Sequence, residues 1–358
     1  MRILQISSAR SIGGGERHFV DLVHVLVRRG HEVYVALRPH SPLRAQLTSL
    51  QPRNILTLGL RNAVDLLSAR QLARFIREHR IEIVHAHLAR DYTLAAVAVR
   101  WAGSARLVLT RHVLFPLTRI HRLTLGNAAR IIAVSHAVGD ALRRQGIFDE
   151  AKISVVHNGI DCERFADRRE AHRSGKLIGT ISDFTAIKGA EDFIRAASLV
   201  ARRHRDVRFV IAGEDRSPGR ENLARILRLI ERLDLDGRIS LSGWVEDIES
   251  WFAALTLFVS TSRYEAFSLA IVEAMASGVP VIATRSAGAS EIITDGVSGC
   301  LVPIGDAEAL AATIIELLDR AEEAERLSEK ARQIVQQKFS LERMVAETEA
   351  VYRQALAD

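Results

Sequence analysis

Short apolar runs alternate with amphipathic helical stretches along nearly the whole chain, and the alternation occurs twice. In the first half, the runs at 2–7, 31–37, 81–85, 105–110, 130–134 and 153–156 read as strands. Helical stretches at 16–29, 67–79 and 91–101 lie between them, and Gly30 fits the position just past a helix end. Strands that are apolar throughout and separated by helices predict a parallel sheet covered on both faces, the doubly wound α/β class. The pattern pauses over the polar stretch 161–176. It resumes with strands at 177–181, 208–212, 239–242, 255–260 and 279–283, and helices at 190–204 and 221–232. A long charged helical region at 307–337 and a separate amphipathic helix at 341–356 end the chain. A length of 358 residues is more than one core usually organises, so the reading is two Rossmann-like domains, 1–165 and 166–340.

Composition narrows the class. With 48% apolar and 26% charged residues, the chain reads as a soluble globular protein. Cys162 and Cys300 show no metal or redox spacing. Met1 leads straight into a strand, with no apolar leader behind it. The most apolar long window, 266–283, is broken by Glu273, Gly278 and Pro280, which argues against a membrane span and for a cytoplasmic protein. The net charge of +6 is unevenly spread: residues 1–165 hold 24 Lys and Arg against 12 Asp and Glu, a net +12. An anionic partner is therefore expected for the first half. Aromatic residues make up only 5% and no nucleic-acid-binding module is legible, so nucleic acid is set aside. A membrane surface or a charged acceptor remains. The segment 112–130 could set Leu114, Phe115 and Leu117 against lipid and Arg119, Arg122 and Arg130 against headgroups, with Pro116 preventing one long helix.

The chemistry-bearing residues cluster in loops. Glu265 and Glu273 stand eight apart in an otherwise apolar or small run, 263–278. A carboxylate in a buried helix is costly unless partnered, and two such acceptors can grip the hydroxyls of a polyol. Glu265 is expected where the helix starts and Glu273 about two turns on, near the same face. Gly13-Gly14-Gly15, between the first strand and first helix, lets backbone N–H groups approach an anion or sugar. A nicotinamide dinucleotide fingerprint fails there, because its third glycine would fall on His18 and the second strand ends without a ribose-binding acid. Thr110-Arg111-His112 ends a strand, where His112 could hydrogen-bond a hydroxyl or carry a proton. His85 and His87, two apart at the end of the preceding strand, are expected to face opposite sides. Lys188-Gly189 precedes a helix, which makes Lys188 a phosphate candidate. Asp234 and Asp236 precede Gly237 at a helix end and read as a solvated turn; no metal is assigned.

In this order the segments resemble the retaining glycosyltransferases of family 4 (glycosyl transferases group 1), over essentially the whole length. The matching pieces include Gly13-Gly14-Gly15, Thr110-Arg111-His112, the stretch 155–161, Lys188-Gly189, Glu265-x7-Glu273 and Ala287-Gly288-Ala289-Ser290-Glu291. The resemblance implies the GT-B architecture: two Rossmann-like domains facing a central cleft, with the 341–358 helix crossing back to the first. It implies that the second domain binds a nucleoside diphosphate sugar, UDP-linked rather than GDP-linked, and the first a saccharide or lipid-linked saccharide acceptor. Glu273 would hold the ribose and Glu265 the sugar hydroxyls. Phe267, Ser268 and Leu269 would offer backbone groups, Lys188 would neutralise the diphosphate, and Gly14 and Gly15 would close over it. His112 corresponds to the cleft histidine beside the transferred sugar. The implied activity is a metal-independent hexosyl transfer with retention, by front-face substitution, without a cofactor. Cell-envelope polysaccharide, lipopolysaccharide or glycolipid synthesis is the implied setting, at the cytoplasmic side or peripheral on the membrane. An epimerase of the same architecture and a non-catalytic nucleotide-sugar-binding subunit are the alternatives. One position departs from the family: Asp183 stands where an Arg beside the diphosphate is usual. Either another cation compensates (Arg263 and Arg216 are candidates), or the local register differs, or catalysis is impaired.

Overall fold

The strands assemble into two separate parallel sheets. The computed structural model describes residues 1–62, 65–118, 120–166 and 175–358. The chain divides into one unit of Met1–Gly159 with Leu341–Asp358, and a second of Ile160–Ser340.

The first unit holds β1 (Arg2–Ser7), β2 (Glu32–Leu37), β3 (Ile55–Thr57), β4 (Ile83–Ala86), β5 (Arg106–Arg111), β6 (Ala128–Ala133) and β7 (Ile153–Val155). They are hydrogen-bonded in the order β3-β2-β1-β4-β5-β6-β7, all parallel. The helix Gly14–Arg28 buries Phe19, Leu22, Val23 and Leu26, the 3–4–7 spacing of one helical face. That face shares a core with β1 and β2 and with Met344, Val345, Val351 and Tyr352 of the last helix, Leu341–Ala357. Each large apolar side chain fully buried this way contributes about 1.5–3 kcal/mol relative to exposure.

The second unit holds β8 (Lys176–Ile181), β9 (Val207–Ala212), β10 (Ile239–Gly243), β11 (Leu257–Ser260), β12 (Val281–Thr284) and β13 (Cys300–Val302), in the order β10-β9-β8-β11-β12-β13. The helix Ala190–Arg203 buries Phe193, Ala196, Ala197 and Val200 against this sheet's core.

Both sheets reverse their strand order once, between β1 and β4 and between β8 and β11. The loops that leave these neighbouring strands diverge to opposite faces and leave a crevice at their carboxyl ends. Two details differ from the sequence expectation. The edge strands β3 and β13 are present although only three residues long. The charged stretch 307–337 is two helices, Ala307–Asp319 and Ala321–Lys338, broken at Arg320 with φ −122° and ψ 70°. Among the described residues no helix is long and apolar enough to cross a membrane.

Candidate active site

In the second unit, the loops after β8 and β11 flank the crossover and are joined at backbone level. Arg263 N–H donates to the Ile187 carbonyl at 2.7 Å. The Thr261 hydroxyl donates to the Lys188 carbonyl at 3.0 Å. Gly189, at φ +65°, passes so close to this seam that a Cβ there would lie 2.2 Å from the Thr261 carbonyl oxygen. Only glycine satisfies both the dihedral and the approach.

The seam brings two distant side chains together: Lys188 Nζ donates to Glu265 Oε2 at 2.7 Å. Both are partly exposed, at 32% and 16% of the side chain. An ammonium has three donors and a carboxylate about four acceptor positions, so each keeps capacity after the mutual bond. From the other side Gly288 N–H donates to the Glu265 carbonyl at 3.0 Å. A Cβ on Gly288 would meet the backbone of Glu265, Ala266 and Phe267 at 2.9 Å. The glycines of the 187–189 and 287–289 segments thus fix the Glu265 loop from both flanks.

Glu265 lies outside the helix, four residues before Leu269–Ala276 begins. It stands at the loop-to-helix entry, as expected, and Ser268 is the N-cap, its hydroxyl accepting from Ile271 N–H at 3.4 Å. Glu273 sits mid-helix and is 1% exposed, so it is no surface acid. Phe267 directs its ring at Phe339, centroids 5.6 Å apart. Ser268 and Leu269 open the helix, whose first N–H groups are oriented for an acceptor.

The departure at Asp183 has a local account. Its Oδ1 accepts from Thr185 N–H at 3.1 Å and from the Thr185 hydroxyl at 2.6 Å, which ties the acid to its own loop. Of the two candidate cations, Arg263 Nη2 reaches both Asp192 oxygens, at 2.9 and 2.7 Å. Arg216 lies over the Trp244 ring at 5.8 Å. Arg225, which the sequence did not single out, donates to the Phe184 carbonyl at 3.2 Å and to Glu191 at 2.7 Å, so it clamps the loop carrying Asp183. No sequence pattern marks it, because its partners come from a different crossover.

In the first unit, the loops after β1, β4 and β5 gather histidines. A Cβ added at Gly15 would touch the His112 ring at 3.6 Å, so Gly14-Gly15 and His112 are neighbours. His18, one turn into the helix, packs edge-on against His112 with centroids 4.9 Å apart. His85 and His87 have rings 4.0 Å apart. This overturns the expectation that they face opposite sides, since residues two apart along an extended strand share a face. Burial holds His112, His85 and His87 well below the ordinary histidine range, and neighbouring histidines add to the shift. Burial alone lowers His18 to about 4. All four are neutral at pH 7, and His112 is fitted to hydrogen-bond as a neutral ring rather than to carry a proton as a cation. In the segment 112–130, Phe115 and Leu123 are exposed but Leu117 is buried. Arg130 lies on β6 and pairs with Asp358, so Leu117 and Arg130 do not face lipid; Arg119 lies outside the described residues.

Comparison with known proteins now bears on this geometry. Residues 12–164 match the family model described as Glycosyltransferase Family 4, and residues 175–320 match that described as Glycosyl transferases group 1. N-acetyl-alpha-D-glucosaminyl L-malate synthase of Bacillus anthracis is 27% identical, over 97% of this chain and 96% of its own. The lipopolysaccharide core biosynthesis glycosyltransferase LpsE of Rhizobium meliloti is 28% identical, over 92% and 93%. HepE of Anabaena, in complex with UDP and glucose, superposes with a TM-score of 0.85 at 22% identity, covering 99% of each chain. A glycosyltransferase from Rickettsia africae superposes with a TM-score of 0.87 at 25% identity, covering 100% of this chain and 99% of that one. With both halves matched in order, two parallel sheets of seven and six strands and this fold likeness, the chain is a glycosyltransferase of the GT-B fold and belongs to family 4, group 1.

Proposed function

We propose that this glycosyltransferase moves a hexosyl group from a nucleoside diphosphate sugar to an acceptor hydroxyl, with retention at the anomeric carbon. The observation that carries the reading is the Lys188–Glu265 bridge at the β8/β11 crossover. A cation for the diphosphate and a carboxylate for the sugar hydroxyls are held 2.7 Å apart, as the two ends of one donor require. The donor's negative charge grows as the bond to the diphosphate breaks. Lys188 and the N–H groups opening the Leu269–Ala276 helix stabilise that charge electrostatically. The acceptor oxygen forms its bond on the face the diphosphate leaves, and its proton passes to a phosphate oxygen. His112, neutral, orients the sugar. The transfer step calls on no metal and no separate cofactor.

UDP is favoured over GDP as the carrier, in keeping with the UDP bound in HepE. The names of the relatives support a cell-envelope, lipopolysaccharide or glycolipid product, with a saccharide or lipid-linked saccharide acceptor. The basic first unit would draw the protein to an anionic membrane from the cytoplasmic side; sedimentation with anionic vesicles at low salt tests this, and absence of binding removes it.

A thermal-shift screen across UDP-, GDP-, ADP- and dTDP-sugars tests the donor. A ligand at 100 times its Kd stabilises the folded state by about 2.7 kcal/mol. One UDP-sugar should raise the Tm clearly, and NMR of the product should give the anomeric configuration of the donor. A screen in which no nucleotide sugar raises the Tm, or an inverted product, overturns the proposal.

A further inference from the structure

The histidines of the first unit hold more than the transfer reaction uses. His18 and His87 are each 3% exposed, and His112 is partly exposed with both ring nitrogens covered. Neither nitrogen of His18 nor of His112 meets a hydrogen-bond partner, and neither does Nδ1 of His87. Five covered nitrogens without partners, on three adjoining rings, are costly for a core that asks nothing further of them. One nitrogen from each ring lies within 4.8 Å of one from each of the others.

The remaining nitrogen of His87 is engaged. His87 Nε2 donates to Gln5 Oε1 at 2.7 Å, and Gln5 Nε2 donates to the Tyr352 hydroxyl at 3.0 Å. That hydroxyl donates to His85 Nδ1 at 2.6 Å, and His85 Nε2 donates to the Thr110 hydroxyl at 2.6 Å. With the Gln5 amide in this orientation the directions are consistent along the chain, and they leave His87 Nδ1 with a lone pair. A ring that donates through one nitrogen and offers the other is the arrangement in which imidazole binds a metal.

We propose that His18, His87 and His112 form a site for one divalent transition-metal ion of the zinc type. Three neutral imidazoles with a fourth position open suit such an ion, and the absence of carboxylate in the trio disfavours magnesium or calcium. At Zn–N distances of about 2.0–2.1 Å the ligating nitrogens stand about 3.4 Å apart, so the rings close by on the order of an ångström. Gln5 and Tyr352 are positioning residues: they fix the tautomer of His87 and touch no metal. If His112 serves as proposed above, a bound ion takes its lone pair and inhibits transfer; metal binding itself does not depend on that reading.

The test uses the full chain, stripped with a chelator and titrated with Zn2+ against a chromophoric chelator, and with Co2+ followed by its visible absorption. We expect one equivalent of tight Zn2+ and a Co2+ spectrum of a nitrogen-ligated, four-coordinate ion. His18→Ala and His87→Ala should each weaken binding on the order of 100-fold or more, and Gln5→Leu about 10–100-fold. Far-UV circular dichroism and a cooperative thermal transition serve as the folding control for each variant. Less than one equivalent bound, or affinity unchanged in folded His18→Ala and His87→Ala, overturns the proposal. Should those variants not fold, X-ray absorption on the wild-type zinc complex decides it: three imidazoles support the site, and fewer refute it.

Discussion

Lys188 and Glu265 hold each other, and their separate contributions can be told apart. The bridge is partly solvated, so its loss should cost at most about 1 kcal/mol of stability. Its loss in the reaction should be far larger. Lys188→Ala and Glu265→Ala are each expected to lower kcat about 10²–10³-fold while the Tm moves by only a few degrees, measured by steady-state kinetics and calorimetry. The double variant should lose less than the product of the two, because the partners share one interaction. Wild-type turnover in a folded Glu265→Ala protein would remove this residue from the site. Arg263 gives the opposite pattern. Its guanidinium is held by the nearly buried Asp192, so Arg263→Ala should lower the Tm and leave donor affinity within about threefold, in the range of a surface substitution. A larger rise in donor Kd would reinstate it as the cation that compensates for Asp183.

Elements position these residues through close backbone approach. At Gly189 an added Cβ is opposed both by the positive φ and by the Thr261 carbonyl, whereas at Gly30, φ +81°, nothing lies within 4 Å of it. Gly30→Ala should therefore cost about 1 kcal/mol, the dihedral alone, and Gly189→Ala distinctly more, read by urea unfolding. Turnover should also fall in Gly189→Ala, because the seam carries Lys188 and Glu265. Equal losses of stability at the two positions would show that the seam yields easily. The helices and central strands were legible because their apolar periodicity runs for several residues. The edge strands β3 and β13 were not, although the equally short edge strand β7 was, so over three residues the apolar period does not reliably separate a strand from a loop. The break at Arg320 was hidden for a related reason: Asp319-Arg320-Ala321-Glu322 contains neither Gly nor Pro, and no local signal stops the helix.

For the molecule as a whole, the buried neutral histidines make stability depend on pH in a defined window. The unfolded chain protonates His18 near pH 6.5, while the folded chain resists until about 4. The stabilising difference is complete above 6.5 and is lost as the pH falls toward 4, at about 1.4 kcal/mol per pH unit for one such group. His85, His87 and His112 act in the same direction. The Tm should thus decline between pH 6.5 and 5, and His18→Phe, if it packs, should show a shallower decline in scanning calorimetry. Identical slopes in the two proteins would mean that His18 is solvated in the folded state.

The sequence by itself determined the class of the fold and the pieces of the site. Two runs of strand–helix alternation dictate two parallel sheets, and glycines and acids at strand ends mark the candidate site. These are local properties, readable over a few residues. Tertiary structure alone decided which pieces meet. The crossover between β8 and β11 sets Lys188 against Glu265 across 77 positions of sequence. The adjacency of β1, β4 and β5 gathers His18, His87 and His112, and Tyr352 reaches Gln5 from 347 residues away. Such meetings depend on strand order and on how closely backbones can pass, and neither leaves a period in the sequence.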